Sequence, residues 1–190
     1  MFDINNTFPR LLPPEREQEL KEQNIFYTKY SDFLLTFYYR IDDNTVGHLK
    51  AGHNHDLSVL LNRAYRIKEP EYGIFQLGDF LGKDDGGTRM MVLTTKEKRY
   101  GAGMILSNDA RQKINELFPD GYYLIPSSIH EWMIIDRDTV DQTDIIRMIR
   151  EINRDIVTKD EFLSDDLYEI RDGMLKKVED KSFEGFEVLI

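Results

Sequence analysis

The run Asp32 to Ile41 (DFLLTFYYRI) is dense in aromatic and β-preferring side chains, ends on Asp42-Asp43-Asn44, and is followed at once by Thr45 to Lys50. Turn chemistry between two β-like runs sends the chain straight back along itself, so the pair reads as an antiparallel hairpin. The same sign recurs along the chain. Thr88 to Thr95 and Tyr100 to Leu106 flank the charged turn Lys96-Glu97-Lys98-Arg99, and Asp172-Gly173 separates Glu169-Ile170 from Met174-Leu175. Tyr122 to Ile125 and Ile129 to Ile135 read as strands on either side of Pro126-Ser127-Ser128, and Tyr72 to Leu81 holds a further short strand. Parallel neighbours need a long crossover between them, and no regular βαβ rhythm is present. The pattern predicts an α+β fold, an antiparallel sheet built from hairpins with three to four packed helices.

Helix signals fall between these runs. Pro13-Pro14 opens a mostly polar segment, Glu15 to Gln23, where proline and early acids suit a first turn. Asn54 or Asp56 caps Leu57 to Ile67, with Leu57, Leu60, Leu61 and Ala64 on one face. Ser107 caps a helix to Phe118 that stops at Pro119-Asp120-Gly121. Thr139 and Gln142 have capping-box spacing before a last helix whose buried stripe reads Ile145, Met148, Ile149, Ile152 and Ile156. The expected organisation is an N-terminal helical arm, 1–30, beside one domain, 31–190. The loop Gly82 to Gly87 divides that domain into sub-lobes 31–82 and 88–190. Gly101 and Gly103 mark close backbone approach or a bulge.

Charge narrows the functions open to the chain. Its 35 acidic against 25 basic residues give a formal charge of -10, a field that repels phosphate backbones unless the basic residues gather in one place. Double-stranded DNA binding is not expected, whereas a protein partner with a basic surface is. Without cysteine there is no disulfide framework, thiolate nucleophile or cysteine-ligated zinc. The opening MFDINNTFPRLLPPERE has neither a basic n-region nor an apolar h-region, and no later stretch is apolar enough for a membrane span. Cytoplasmic residence is the expectation.

Two constellations carry residue types of chemical interest. In Ser127-Ser128-Ile129-His130-Glu131 a nucleophile, a base and an orienting carboxylate stand together. In a single strand, Ser128, His130 and Trp132 face one side while Glu131 faces the other, which excludes a local triad. Two readings remain. In one, Pro126-Ser127-Ser128 shapes a turn whose hydroxyls bond the backbone, and His130 and Glu131 bond neighbouring loops. In the other, Ser128, His130 and Glu131 are catalytic, with His130 the general base of a ribonuclease or other hydrolase.

The second constellation is His53-Asn54-His55-Asp56, with His48 upstream. His53, His55 and Asp56 are weak metal-ligand candidates, since a site needs about four donors in fixed geometry. A helix-opening turn accounts for them more simply, and no metal or cofactor is called for. The loop Gly82 to Gly87 lacks a phosphate-binding pattern and carries Asp84-Asp85.

The string Leu124-Ile125-Pro126-Ser127-Ser128-Ile129-His130-Glu131 resembles the signature of an uncharacterised domain-of-unknown-function family of Firmicute genomes. In that family a leucine-proline-serine-serine-isoleucine-histidine-glutamate unit precedes a helix with an asparagine near its end, here Asn153. The resemblance runs from Asp32 to Lys177, strongest around the signature and through Phe162-Leu163-Ser164-Asp165 and Tyr168, and departs at Trp132. It implies no established reaction. Its genomic setting resembles that of accessory genes of bacteria and mobile elements, where small acidic proteins disarm host defences, anti-CRISPR inhibitors among them. The expected function is a non-enzymatic, acidic, protein-binding regulator or inhibitor that meets a basic nucleic-acid-binding partner through Asp84, Asp85, Asp165, Asp166 and Trp132. The alternative is the hydrolase centred on His130.

Overall fold

A computed structural model of the chain describes residues 3–42, 45–52, 55–82 and 89–179. Two antiparallel sheets form among them. In the first, β1 (Thr7–Leu12) and β2 (Tyr27–Tyr30) pair with β3 (Phe33–Arg40), as does β4 (Val46–His48). The second runs in the order β10 (Met174–Lys177), β9 (Tyr168–Arg171), β7 (Tyr122–Ser128), β8 (Glu131–Asp136), β6 (Met90–Thr95) and β5 (Tyr72–Gln76). The α+β fold with antiparallel sheets is thus as the hairpin pattern predicts.

Side-chain alternation sorts the second sheet into two faces. Leu93, Leu124, Trp132, Ile134 and Tyr168 join Leu11, Phe33, Leu35 and Phe37 of the first sheet in one buried core. Met90, Ile125 and Ile135 point the other way, against Ile145, Ile146 and Ile149. Those isoleucines lie on α5 (Gln142–Asp155), which covers the outer face of the sheet.

Local signals hold where they are strongest. Asp56 caps α2 (Leu57–Tyr65) through Ser58 and Val59 N–H, and Ser107 caps α4 (Asn108–Leu117) through Ala110 N–H. Asp172 and Gly173 both take positive φ, 54° and 73°, the two-residue turn that matches strand twist in a hairpin. A short α1 (Glu17–Glu22) docks through buried Leu20, and α3 (Leu77–Leu81) follows β5 directly.

Four expectations are corrected. Residues 3–30 are no peripheral arm: Thr7, Phe8, Leu11 and Leu12 are buried, and β1 pairs along almost the whole of β3. The sub-lobe boundary at Gly82 to Gly87 does not stand either, because β5 and β6 pair across it. Tyr100 to Leu106 is not a strand; Gly101–Leu106 forms a fully buried 3-10 turn packed on β1, β6 and β8. The glycines permit this approach. A Cβ on Gly103 would fall onto the Pro9 carbonyl, 2.6 Å from its carbon, and one on Gly101 would sit 2.6 Å from Thr94 Cα.

The fourth correction concerns α5. Its cap is Asp141, which accepts from Thr143 and Asp144 N–H, rather than Thr139. Its buried face is Ile145, Ile146, Ile149 and Asn153, while Ile152 and Ile156 are exposed. A polar residue turned inward displaces the stripe that hydrophobicity alone selects.

Because the obstacle at Gly103 is backbone, Gly103→Ala is expected to destabilise the chain by about 1–3 kcal/mol, the usual range for overpacking. Urea unfolding of the two proteins, compared at equal slope, measures it.

Candidate functional site

Pro126-Ser127-Ser128 does not form the turn expected of it. Those residues lie in β7, with a register irregularity between Ile125 and Ser128, and the chain reverses at Ile129-His130. Ser128 and Glu131 therefore face each other across the hairpin and come together, contrary to the single-strand reading. Ser128 Oγ donates to Glu131 Oε1 at 2.7 Å and accepts from His130 N–H at 2.9 Å.

The turn is pinned from every side. Ile129 N–H donates to Glu161 O (2.8 Å), Thr94 Oγ1 donates to His130 O (2.8 Å), and Ala102 N–H reaches Ile129 O (3.3 Å). Tyr100 N–H donates to His130 Nδ1 at 3.0 Å, and the two rings stack at 5.6 Å. Burial lowers the His130 pKa; Glu131 and Glu161 oppose that shift, and Arg10 and Arg99 reinforce it. A neutral ring whose Nδ1 lone pair is already taken carries its proton on Nε2, 3.8 Å from Glu161 Oε1. Such a ring presents no lone pair to a substrate. The Ser128 hydroxyl pairs with the Glu131 carboxylate and the His130 backbone N–H, and no hydrogen bond joins it to the His130 ring, so the Ser–His pairing expected of a hydrolase is not formed.

The metal candidates are spent on structure. Asp56 is the α2 cap, His55 Nε2 donates to Lys50 O (3.0 Å) with its ring edge-on to Phe26, and His53 lies outside the described residues. Among the described residues no group of three or more His, Asp or Glu is placed to hold a metal ion. His48 is held neutral, its pKa lowered to about 4 by burial first and then by Arg10 and Lys50.

Of the binding candidates, Asp84 and Asp85 lie outside the described residues. Trp132 is corrected from surface to core. It is 0% exposed, donates its Nε1 proton to Ala102 O at 2.7 Å, and meets Phe33 and Tyr168 edge-on at 6.0 and 5.6 Å. Asp165 and Asp166, by contrast, line a pocket of about 220 Å³ together with Asp32 and Glu15.

Three separate segments build that pocket. Glu15 stands at the entry to α1, Asp32 at the start of β3, and Asp165-Asp166 in the loop before β9. Asn153 fixes the loop from below, its Nδ2 donating to Ser164 O and to Asp165 Oδ1, both at 2.8 Å. Ser164 Oγ accepts from Asp166 N–H (3.1 Å) and contacts the Tyr168 hydroxyl (3.2 Å). Phe33 and Tyr168 give the pocket an aromatic floor, 5.1 Å between ring centres, over Trp132. Lys177 pairs with Asp166 at 2.8 Å from outside, and no Lys or Arg is among the described lining residues.

Sequence reasoning missed Asp32, Glu15 and the positioning role of Asn153. The signal for Asn153 was present, since it continues Ile145 and Ile149 at four-residue steps along the buried stripe.

A family model described as a family of unknown function (DUF5688) matches residues 56–171. Neither the curated proteins nor the solved structures contain a match.

If His130 is structural, His130→Ala leaves Tyr100 N–H without its acceptor and the Tyr100 ring without its neighbour. The expected loss is about 1–3 kcal/mol, a fall of several degrees in Tm for a chain of this size, read by thermal unfolding. An unchanged Tm would free the ring for another role.

Proposed function

Taking as premise that the chain belongs to this family of unknown function, DUF5688, we propose that it is a non-enzymatic, protein-binding regulator that receives a Lys or Arg side chain of a basic partner in the Asp32–Asp165–Asp166 pocket. The convergence of four carboxylates from three segments on one small cavity with an aromatic floor carries this reading. A pocket of about 220 Å³ lies below the ~300–1,000 Å³ of sites that enclose a drug-sized ligand, and it suits a single long side chain. The apolar stem of Lys or Arg lies against aromatic rings while the charged head meets carboxylates. The head would relieve repulsion among acids that Lys177 alone does not balance.

The formal charge of -10 supports the same partner class at longer range, because a field of one sign steers an oppositely charged surface into contact. A partner that normally holds nucleic acid presents such a surface, and blocking it is the inhibitory form of the proposal. No helix among the described residues is long and apolar enough to cross a membrane. The hydrolase reading has less support, because the Nδ1 of the ring it needs as general base already accepts from Tyr100 N–H within the fold.

The test is an affinity capture from the native host lysate with the tagged wild type and with Asp32→Asn, Asp165→Asn and Asp166→Asn combined. The isosteric amides keep an oxygen for Asn153 while removing charge. One stoichiometric partner, released by raised salt and absent with the triple variant, is the expected result. A partner retained equally by the triple variant would displace the pocket from this role. Substrate turned over by the wild type and spared by His130→Ala would reinstate the enzyme.

A further inference from the structure

Away from the acidic pocket the charge reverses. Lys96 and Arg99, from the turn after β6, and Arg40, from the end of β3, line a separate cavity of about 280 Å³ whose wall includes Tyr38 and Tyr100. Two carboxylates share its rim, Asp42 and Glu97, and Glu97 is held by Arg40 at 2.5 Å. The cations lining it outnumber the carboxylates by three to two.

Packed on Tyr100 of that wall is a further, half-buried cation. The Arg10 guanidinium, on β1, packs 4.1 Å from the centre of the Tyr100 ring. Among the described residues no carboxylate forms an ion pair with it, and its Nε is shielded from solvent with no acceptor. Opposite Tyr38 in the strand register, His48 has a buried Nδ1 that is also without a partner. Burial of Arg10 and His48 disfavours their charged forms. A partly buried positive charge without an ion pair is costly, and an anion close by is a natural counterweight to it. Tyr100 itself sits in the left-handed region at φ 55°, a conformation that an aromatic residue keeps only when its surroundings fix it.

We propose that this cavity binds a small phosphate-bearing anion, with Lys96 and Arg99 donating to its oxygens and Arg10, half-buried against Tyr100, adding positive charge nearby. The ligand is compact. Arg10 and His130 already pack on the Tyr100 ring, so it is no stacking platform for a nucleobase, and 280 Å³ is just below the ~300–1,000 Å³ of cavities for drug-sized ligands. Inorganic phosphate and a small phosphomonoester share the required chemistry. The site is independent of the acidic pocket and of the regulator reading.

Isothermal titration of the full chain with inorganic phosphate and with methyl phosphate, at matched ionic strength, tests it. Saturable one-to-one binding is expected, weakened about tenfold or more by Lys96→Glu combined with Arg99→Glu, since two charge-assisted contacts are lost. Both residues are exposed on the turn, so the double variant should keep its fold, verified by circular dichroism. Arg10→Met should also weaken binding; should it fail to fold, the double variant still decides. Tighter binding of methyl phosphate assigns the site to an ester, and tighter inorganic phosphate to the free ion. No saturable heat with either probe, or a double variant that binds like the wild type, would overturn the proposal.

Discussion

Trp132 joins the parts of this molecule. It stands on β8, in the middle of the larger sheet, yet its indole proton goes to Ala102 of the buried 3-10 turn and its ring meets Phe33 of the first sheet and Tyr168 of β9. Full burial of an indole removes a large apolar area from water, and its one polar atom must find an acceptor once there. Removing such a side chain from a core costs about 3–5 kcal/mol, a large part of what a domain has in reserve. The pocket floor rests on the same cluster, so the geometry of the acidic site depends on the packing of the core.

Around that cluster, the polar residues of the signature string act as fasteners. The Ile129-His130 turn is bonded to β6, to the 3-10 turn and to the Glu161 loop. The loop that begins at Glu161 enters the acidic pocket at Phe162, and Asn153 holds it at Ser164 and Asp165. Residue types that suggest catalysis in the sequence thus carry hydrogen bonds within the fold. Their hydrogen bonds close on one another and brace the loop that begins at Glu161.

The sequence was legible where the deciding physics is local. The hairpin of β3 and β4, the Asp56 and Ser107 caps, and the Asp172-Gly173 turn are set by residues within a few positions of one another. Where distant contacts decide, the local pattern misleads. β1 is a strand because β3 offers it a ladder, and Gly101–Leu106 coils because β1, β6 and β8 surround it. The reversal at Ile129-His130 escaped notice because a serine cross-bonded to Glu131 looks like turn chemistry one step too early. Asp165 and Asp166 were visible as an adjacent pair. Asp32 and Glu15 join them only in three dimensions, and Trp132, a binding candidate in the sequence, has a side chain whose size belongs to the core.

The central claim is that the pocket over Phe33 and Tyr168 is where a basic side chain docks. The most direct measurement is a titration of isotopically labelled protein with a short peptide rich in Arg and Lys, followed by backbone amide shifts. Saturable shifts concentrated at Glu15, Asp32 and Phe162 to Tyr168, and suppressed by salt, would agree with it. Saturable shifts centred elsewhere, or shifts spread evenly over the acidic surface without saturation, would contradict it.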